Sequence, residues 1–484
     1  MKRHIYYVKR FINPGVSAVD VHNLLANPKS ASFIFEQNYK QKNISDNKLG
    51  YVCISAEKVI RTGKKELLGE TDPFKIISKE LNERIKHKLI PAYKDLNEAF
   101  YSGGFGYISY ECFKYIEPTI NNIKDTKTYT PESGFIFPKE LLIFDNKKLY
   151  IYIVCLKQNR LKKEIKKRQK EIQEKIIYLS KNLNKKNSSS NESKIKYKSN
   201  IGIKKYIQMV KNAIYEINNG ELIQVVLSRK AEMKIMCDPS SIYRELKKIN
   251  FSPYTYYVNF VDFQIIGASP ELMSRTKSNI TEIHPIAGTY PRDTNKNNDD
   301  YNEKNMLLSE KEKAEHLMLV DLARNDLGKI CEIGSVKVEK FMSVEKYSHV
   351  MHLVSKVTGL LGENFSGIDA LKSGFPIGTL SGAPKIRAIE LANDLEPEGR
   401  GPYCGAIGWF ENLYNIDTGT LIRSIIIKKQ KAFINGGAGI VSESSPKKEY
   451  KETENKILAC IQAINIANNI STNRKKSYHA TINR

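Results

Sequence analysis

Between residues 201 and 470, apolar β-branched runs and helix-spaced stretches follow one another without the regular strand–helix–strand alternation that builds a parallel sheet. Leu222 to Ser228 reads as a strand, Tyr254 to Phe260 and Phe263 to Gly267 as a hairpin, and Thr420 to Lys428 as a further strand. Ile203 to Asn218 reads as a helix closed by Asn219-Gly220, with longer helices over Ser309 to Leu327 and Pro446 to Ile470. This mixture predicts an α+β fold with antiparallel sheet. Earlier in the chain, Glu140 to Asp145 and Leu149 to Leu156 are strand-like. Gly103-Gly104-Phe105-Gly106-Tyr107 reads as a turn leading into a strand. Leu161 to Leu179 is charged, with Ile165, Ile172, Ile176 and Leu179 at helical spacing, and reads as an exposed helix. Asn182 to Asn200, with Ser188-Ser189-Ser190, reads as a linker. The chain thus divides into 1–156, a basic helix and linker over 157–200, 201–470, and a basic tail over 471–484.

Charge raises nucleic-acid binding as a first thought, since the net charge is +24. Its distribution argues against that. Lys157 to Lys198 holds 15 Lys/Arg and 4 Asp/Glu, so +11 of the +24 sits in one short stretch. The rest reads as a solvated lysine-rich surface, and no nucleic-acid partner is expected. No apolar run approaches the ~18 residues of a membrane span, so no membrane association is expected. The seven scattered cysteines include no C-x-x-C, which points to a reducing cytoplasm and away from structural zinc.

Several residues are out of place on physical grounds. In the 309–327 helix Glu315 falls on one face with Leu319 and Leu322, where a carboxylate needs a salt bridge, a proton or a metal. In the last helix Glu449, Glu452 and Lys456 share a face, either as a surface ion-pair row or as a carboxylate pair for Mg²⁺ beside a lysine for an anion. Asn435-Gly436-Gly437-Ala438-Gly439 reads as a loop whose N–H groups can approach an anion. Neither it nor Gly378 to Lys385 is a Walker loop. His349 and His352 lack a third zinc ligand nearby. Alternation along Leu421-Ile422-Arg423-Ser424-Ile425 puts Arg423 on an apolar face, where it meets a carboxylate of the protein or of a ligand. Together these features describe a site for a small polyanion.

At these residues the sequence resembles the chorismate-utilising enzymes, most closely the anthranilate synthase large subunits. The motifs occur in the family's order: Ile266 to Glu271, Pro285 to Thr289, Ala314 to Leu327, Val350-Met351-His352, Phe375 to Lys385, Arg400 to Tyr403 and Gly437 to Val441. The resemblance implies a large sandwich of two antiparallel sheets flanked by helices, with residues 201–470 as the chorismate-binding region. It implies that Glu315 and Glu452 hold Mg²⁺. It also implies that Gln224, Gly288, Thr289, Tyr403, Arg423, Gly437, Ala438, Gly439 and Lys456 line the chorismate site. Glu271 is implied as the general acid toward the departing C4 hydroxyl, and His352 as the histidine of the aromatising proton transfer.

Gln224 aligns where water-adding relatives carry a lysine, and an amide is no general base near neutral pH. Ala287 aligns where many aminodeoxychorismate synthases carry a lysine nucleophile. The implied reaction is therefore addition of ammonia to chorismate followed by loss of pyruvate. No Gly-x-Cys-x-Gly elbow is present, so a separate glutamine amidotransferase small subunit is the implied source of ammonia. Gln37 and the Pro253-Tyr254-Thr255 run match the two halves of the family's tryptophan inhibitor site. Both depart from its pattern, with Gln37 for serine and Thr255 for methionine, which implies weakened feedback.

Overall fold

The computed structural model describes residues 5–39, 47–85, 103–120, 123–128, 130–145, 148–155, 162–182, 197–346 and 350–482. Most of the expected linker and His349 lie outside them. The strands are β1 (Ile5–Ile12), β2 (Ser32–Tyr39), β3 (Asn47–Thr62), β4 (Gly104–Ile108), β5 (Ser133–Asp145), β6 (Lys148–Cys155) and β7 (Lys198–Ser199). There follow β8 (Gln224–Lys234), β9 (Tyr254–Asn259), β10 (Phe263–Ser269), β11 (Leu272–Lys277), β12 (Ile280–Ile283), β13 (Ile286–Pro291), β14 (Lys337–Lys346) and β15 (Val350–Leu360). The last are β16 (Gly382–Ala383), β17 (Ala406–Asn412), β18 (Asn415–Thr420), β19 (Ser424–Lys428) and β20 (Lys431–Ile440).

All pairings among them are antiparallel. One layer runs β1–β6–β5–β3–β2–β9–β10–β19–β20–β8, and the other runs β5–β4–β17–β18–β11–β12–β15. The long strand β5 belongs to both. Its Glu140–Asp145 half pairs with β6 and its Ser133–Ile136 end pairs with β4. The layers face each other across a core rich in aromatic residues, including Phe33, Phe35, Tyr51, Phe105, Tyr254, Tyr256 and Trp409. Burying each such ring contributes about 1.5–3 kcal/mol. Helices cover the outer faces. Pro239–Ile249, Lys162–Asn182 and Pro446–Ile482 pack on the first layer, and Pro73–Ile85, Glu310–Gly328 and Gly367–Gly374 on the second. The expected α+β sandwich is the observed one.

Local chemistry accounts for the element ends. Ser309 caps the Glu310–Gly328 helix by accepting from the Glu312 N–H. The Ile203–Asn218 helix ends at Asn219, and Gly220 takes a left-handed φ of 83°. The hairpin forms with Ile265 opposite Val258.

Four expectations need correction. Gly104 and Gly106 lie inside β4 rather than in a turn before it; a Cβ on Gly106 would stand 2.4 Å from the Gly134 carbonyl, so the glycines serve close strand packing. The Lys162–Asn182 helix is not fully exposed: Ile165, Ile172 and Ile176 are buried against the first layer. The last helix continues to Ile482, through most of the expected tail. The single strand over 420–428 is two, β18 and β19, broken at 421–423.

Candidate active site

The broken strand decides where Arg423 goes. Arg423 takes a φ of 51°, an uncommon conformation for a residue with a side chain, so simple strand alternation does not place it. Its guanidinium lies near Tyr403, Cys460 and Glu452, and burial lowers its affinity for the proton. It forms no ion pair among the described residues. A desolvated cation without a carboxylate partner is costly, and an anionic ligand removes that cost.

The glycines expected in a loop lie in β20, paired with β8: Gly437 opposite Ser228, Ala438 opposite Leu227, Gly439 opposite Val226. A Cβ on Gly437 would stand 3.1 Å from the Tyr403 hydroxyl, and one on Gly439 would stand 2.5 Å from Gln224 Nε2. Ala438 is buried among residues of the flanking helices. The glycines thus leave room for Tyr403 and Gln224. Lys456, on the Pro446–Ile482 helix, donates to the Gly437 carbonyl at 2.9 Å and pairs with Glu452 at 2.7 Å.

Gln224 opens β8 and is buried. Its Nε2 reaches Glu315 Oε1 at 3.4 Å, and its Oε1 has no partner. Glu315 is half-buried. Glu312, one turn before it, is held above the usual carboxylate range by burial and by the charges of Glu315 and Glu452. Glu449 is raised by burial and by Glu452. The two helices therefore turn carboxylates toward one another. Among the described residues no three His, Cys, Asp or Glu side chains are close enough to form a metal-binding group.

Glu271 follows β10. Its carboxyl is buried, and burial pushes its pKa up to about 7. The Thr379 hydroxyl donates to Oε1 at 2.7 Å, and Thr420 reaches Oε2 at 3.4 Å. His352 lies on β15, and its Nδ1 is 2.8 Å from the Gly288 carbonyl. A carbonyl only accepts, so Nδ1 carries the hydrogen and Nε2 the lone pair. Burial, then the charge of Arg423, lowers its pKa below the ordinary value, with the Gly288 contact opposing. Gly288 has a φ of 65°, and a Cβ there would stand 3.0 Å from Glu312 Oε2. The Thr289 side chain lies outside the described residues.

At the other candidate site, β2 pairs with β9, setting Gln37 opposite Tyr254 and Glu36 opposite Thr255. Gln37 Nε2 donates to Asp417 at 2.8 Å, Tyr254 to the same carboxylate at 2.7 Å, and Arg275 Nε at 3.0 Å. Pro253 gives its carbonyl to the Asn38 N–H. Side chains alternate along a strand, so Thr255 faces away from Gln37.

The family of chorismate binding enzymes matches residues 30–462. The chain belongs to the chorismate binding enzymes. It is 37% identical over 413 residues to anthranilate synthase component 1 of Aquifex aeolicus, covering 84% of this chain and 82% of that one. To anthranilate synthase component 1 of Saccharomyces cerevisiae it is 36% identical over 466 residues, covering 93% and 89%. The crystal structure of anthranilate synthase component I from Streptococcus pneumoniae superimposes with a TM-score of 0.75 at 31% identity, over 94% of this chain and 99% of that one.

For a chorismate binding enzyme the sequence reading was short of three residues. Glu312 shares its helix with Glu315, and the Ser-x-x-Glu capping spacing explains it without any site role. Thr379 and Thr420 are ordinary hydroxyl residues, 108 and 149 positions from Glu271 in the chain. Thr379 lies within the Phe375 to Lys385 motif, but nothing local in the sequence pairs either threonine with Glu271. No helix among the described residues is long and apolar enough to cross a membrane.

Proposed function

We propose that this chain is the chorismate-converting subunit of an anthranilate synthase, turning chorismate and ammonia into anthranilate and pyruvate, and that it works in the cytoplasm. The observation that carries the reading is the pairing of a buried acid whose pKa burial pushes up, Glu271, with a residue that cannot activate water, Gln224. Glu271 gives its proton to the C4 hydroxyl of chorismate, which leaves as water. Ammonia adds at C2 through its own lone pair, giving 2-amino-4-deoxyisochorismate. Its N–H groups suit the unpartnered Oε1 of Gln224. His352 Nε2 then takes the C2 proton as the C3–O bond breaks and pyruvate leaves, and the ring becomes aromatic. Arg423 binds a carboxylate of the substrate, and the absence of an ion pair there among the described residues supports this. Gly437 and Gly439 let Tyr403 and Gln224 pack close to the strand at the wall of the site, and Lys456 adds positive charge at the same wall.

Glu315 and Glu452 are the residues that would hold Mg²⁺. Glu312 and Glu449 beside them are raised by burial and then by neighbouring carboxylate charge, which a bound cation would relieve, and hard carboxylate oxygens suit this one. Two carboxylates suffice, because Mg²⁺ keeps several waters. When bound, it neutralises a substrate carboxylate and orients the ring. The ammonia is supplied by a glutamine amidotransferase small subunit, and tryptophan is the candidate inhibitor at Gln37, Pro253, Tyr254 and Thr255.

The test is the product formed by the purified chain from chorismate, Mg²⁺ and ammonium. Fluorescent anthranilate with equimolar pyruvate is expected. Aminodeoxychorismate or isochorismate as the main product would sink the reading.

A further inference from the structure

We infer that Thr379 is a positioning residue for Glu271, its hydroxyl holding the carboxyl in place and setting its strength as an acid. The inference rests on the reading of Glu271 as the proton donor given above. The Thr379 contact, at 2.7 Å, has the preferred length for O–H···O, whereas the Thr420 contact, at 3.4 Å, is beyond the normal range. Thr420 is also shared with Ser269, 3.1 Å away.

The Thr379 backbone is fixed from several sides. Gly378 lies against Leu322, and a Cβ there would stand 2.8 Å from that side chain. The Leu380 carbonyl accepts from Arg400 Nη1 at 2.9 Å, and the Ser381 hydroxyl donates to the Ile377 carbonyl at 3.0 Å. Leu322 belongs to the helix that carries Glu315, and Arg400 is itself buried and paired with Glu396. The hydroxyl therefore inherits its place from elements that carry the rest of the site. A hydroxyl donates to a carboxylate and accepts from a carboxylic acid, so one contact serves Glu271 before and after it gives up its proton.

Donation favours the ionised form. It opposes burial, which raises the pKa of Glu271, and acts in the same direction as Thr420 and the charge of Lys456 from the last helix. Without the Thr379 hydroxyl the acid is weaker, and it keeps its proton to higher pH.

The test is steady-state turnover of the full chain with chorismate, Mg²⁺ and ammonium across pH, for the wild type, Thr379→Val, Thr379→Ser and Glu271→Gln. Loss of one hydrogen bond to a charged group predicts a roughly 10-fold lower kcat in Thr379→Val, with the alkaline limb about half a pH unit or more higher. The KM for chorismate stays within about threefold, because the contact is not to substrate. Thr379→Ser restores both rate and limb. An alkaline limb that stays at its wild-type pH in Thr379→Val overturns the inference, whether or not kcat falls. A serine variant no better than valine also overturns it. Thr379→Ala is read by the same criteria should valine disturb the fold. Glu271→Gln separates the two levels. Its inactivity upholds the parent reading, so a failure at Thr379 then belongs to the inference alone, while full activity overturns both.

Discussion

At the Gln224 amide oxygen and the Arg423 guanidinium polar groups lack partners among the described residues, whereas around Asp417 they close on one another. In the first region, among the described residues, a guanidinium has no ion pair and an amide oxygen has no donor, and burial followed by neighbouring carboxylates raises the pKa of Glu312 and Glu449. In the second, Gln37, Tyr254 and Arg275 converge on one carboxylate, and Arg275 Nη1 adds Glu282 at 2.8 Å. Both lie on the same antiparallel framework, so strand chemistry does not explain the difference. Unmatched polar groups in a semi-buried site destabilise the fold unless a ligand completes them. A matched network rigidifies and leaves a ligand little to complete. The comparison therefore separates a region with open polar positions from one whose carboxylate, Asp417, is already met by donors, with the Thr255 hydroxyl on the opposite face left over.

The largest effect is expected where the mismatch is greatest. Glu315→Gln and Glu452→Gln each keep the fold and lose turnover by about 100-fold or more, since removal even of groups that support a metal's ligands costs 10–100-fold. Chelation by EDTA produces the same loss in the wild type. Turnover measured with saturating ammonium checks both, and wild-type rates in either variant would erase the contrast between the regions.

His352→Met is next. A general base contributes roughly 10²–10⁴-fold, and in the proposed mechanism His352 acts after ammonia has added. Pyruvate release slows more than chorismate consumption, and 2-amino-4-deoxyisochorismate accumulates. Chromatography of the quenched reaction reads this directly. Anthranilate formed at the wild-type rate would remove His352 from the step.

The pH profile sharpens the electrostatic half of the comparison. Glu271 must hold its proton to act as an acid, and its pKa of about 7 means that this form is lost as pH rises through neutrality. His352 must be neutral to act as a base, and its lowered pKa keeps it so from below the ordinary histidine value upward. The kcat/KM profile is thus expected to be bell-shaped, with its alkaline limb near pH 7 and its acid limb below about 6.5. A rate that keeps rising above pH 8 would contradict the assignment of Glu271.

Helices and hairpins were legible because their signals are local. Ser309 before Glu310, and Asn219-Gly220 after Asn218, mark helix ends by chemistry that needs no tertiary context. The glycines of β20 misled because glycine also signals turns. Only the finished packing shows that Tyr403 and Gln224 occupy the space a Cβ would take. The break at Arg423 carries neither glycine nor proline, so an apolar run read straight through it. Glu271 was legible within its motif, but its acid strength was not, since burial and the hydroxyls of Thr379 and Thr420 come from the fold.

The smallest effect is expected at the matched network. Tryptophan binding that used the Gln37 amide would have to take it from Asp417, to which it donates at 2.8 Å. Thr255 lies on the opposite face of the β2–β9 pair, beside Glu36, which accepts from Tyr243. A ligand on either face therefore meets one of the two departures rather than both. Losing one hydrogen bond, or one apolar contact, weakens binding by about 1–2 kcal/mol, or roughly 5- to 30-fold. Weak feedback is the expected outcome, and an inhibition curve with saturating ammonium and varied tryptophan measures it. Gln37→Ser frees Asp417 of one donor and opens space at that face, so it should strengthen inhibition, while Thr255→Met should do so only for a ligand on the other face. The variant that responds identifies the face. Half-inhibition of the wild type at low micromolar tryptophan would show that the Asp417 network yields to a ligand, and the contrast between a satisfied and an unsatisfied region would then fail at its weaker end.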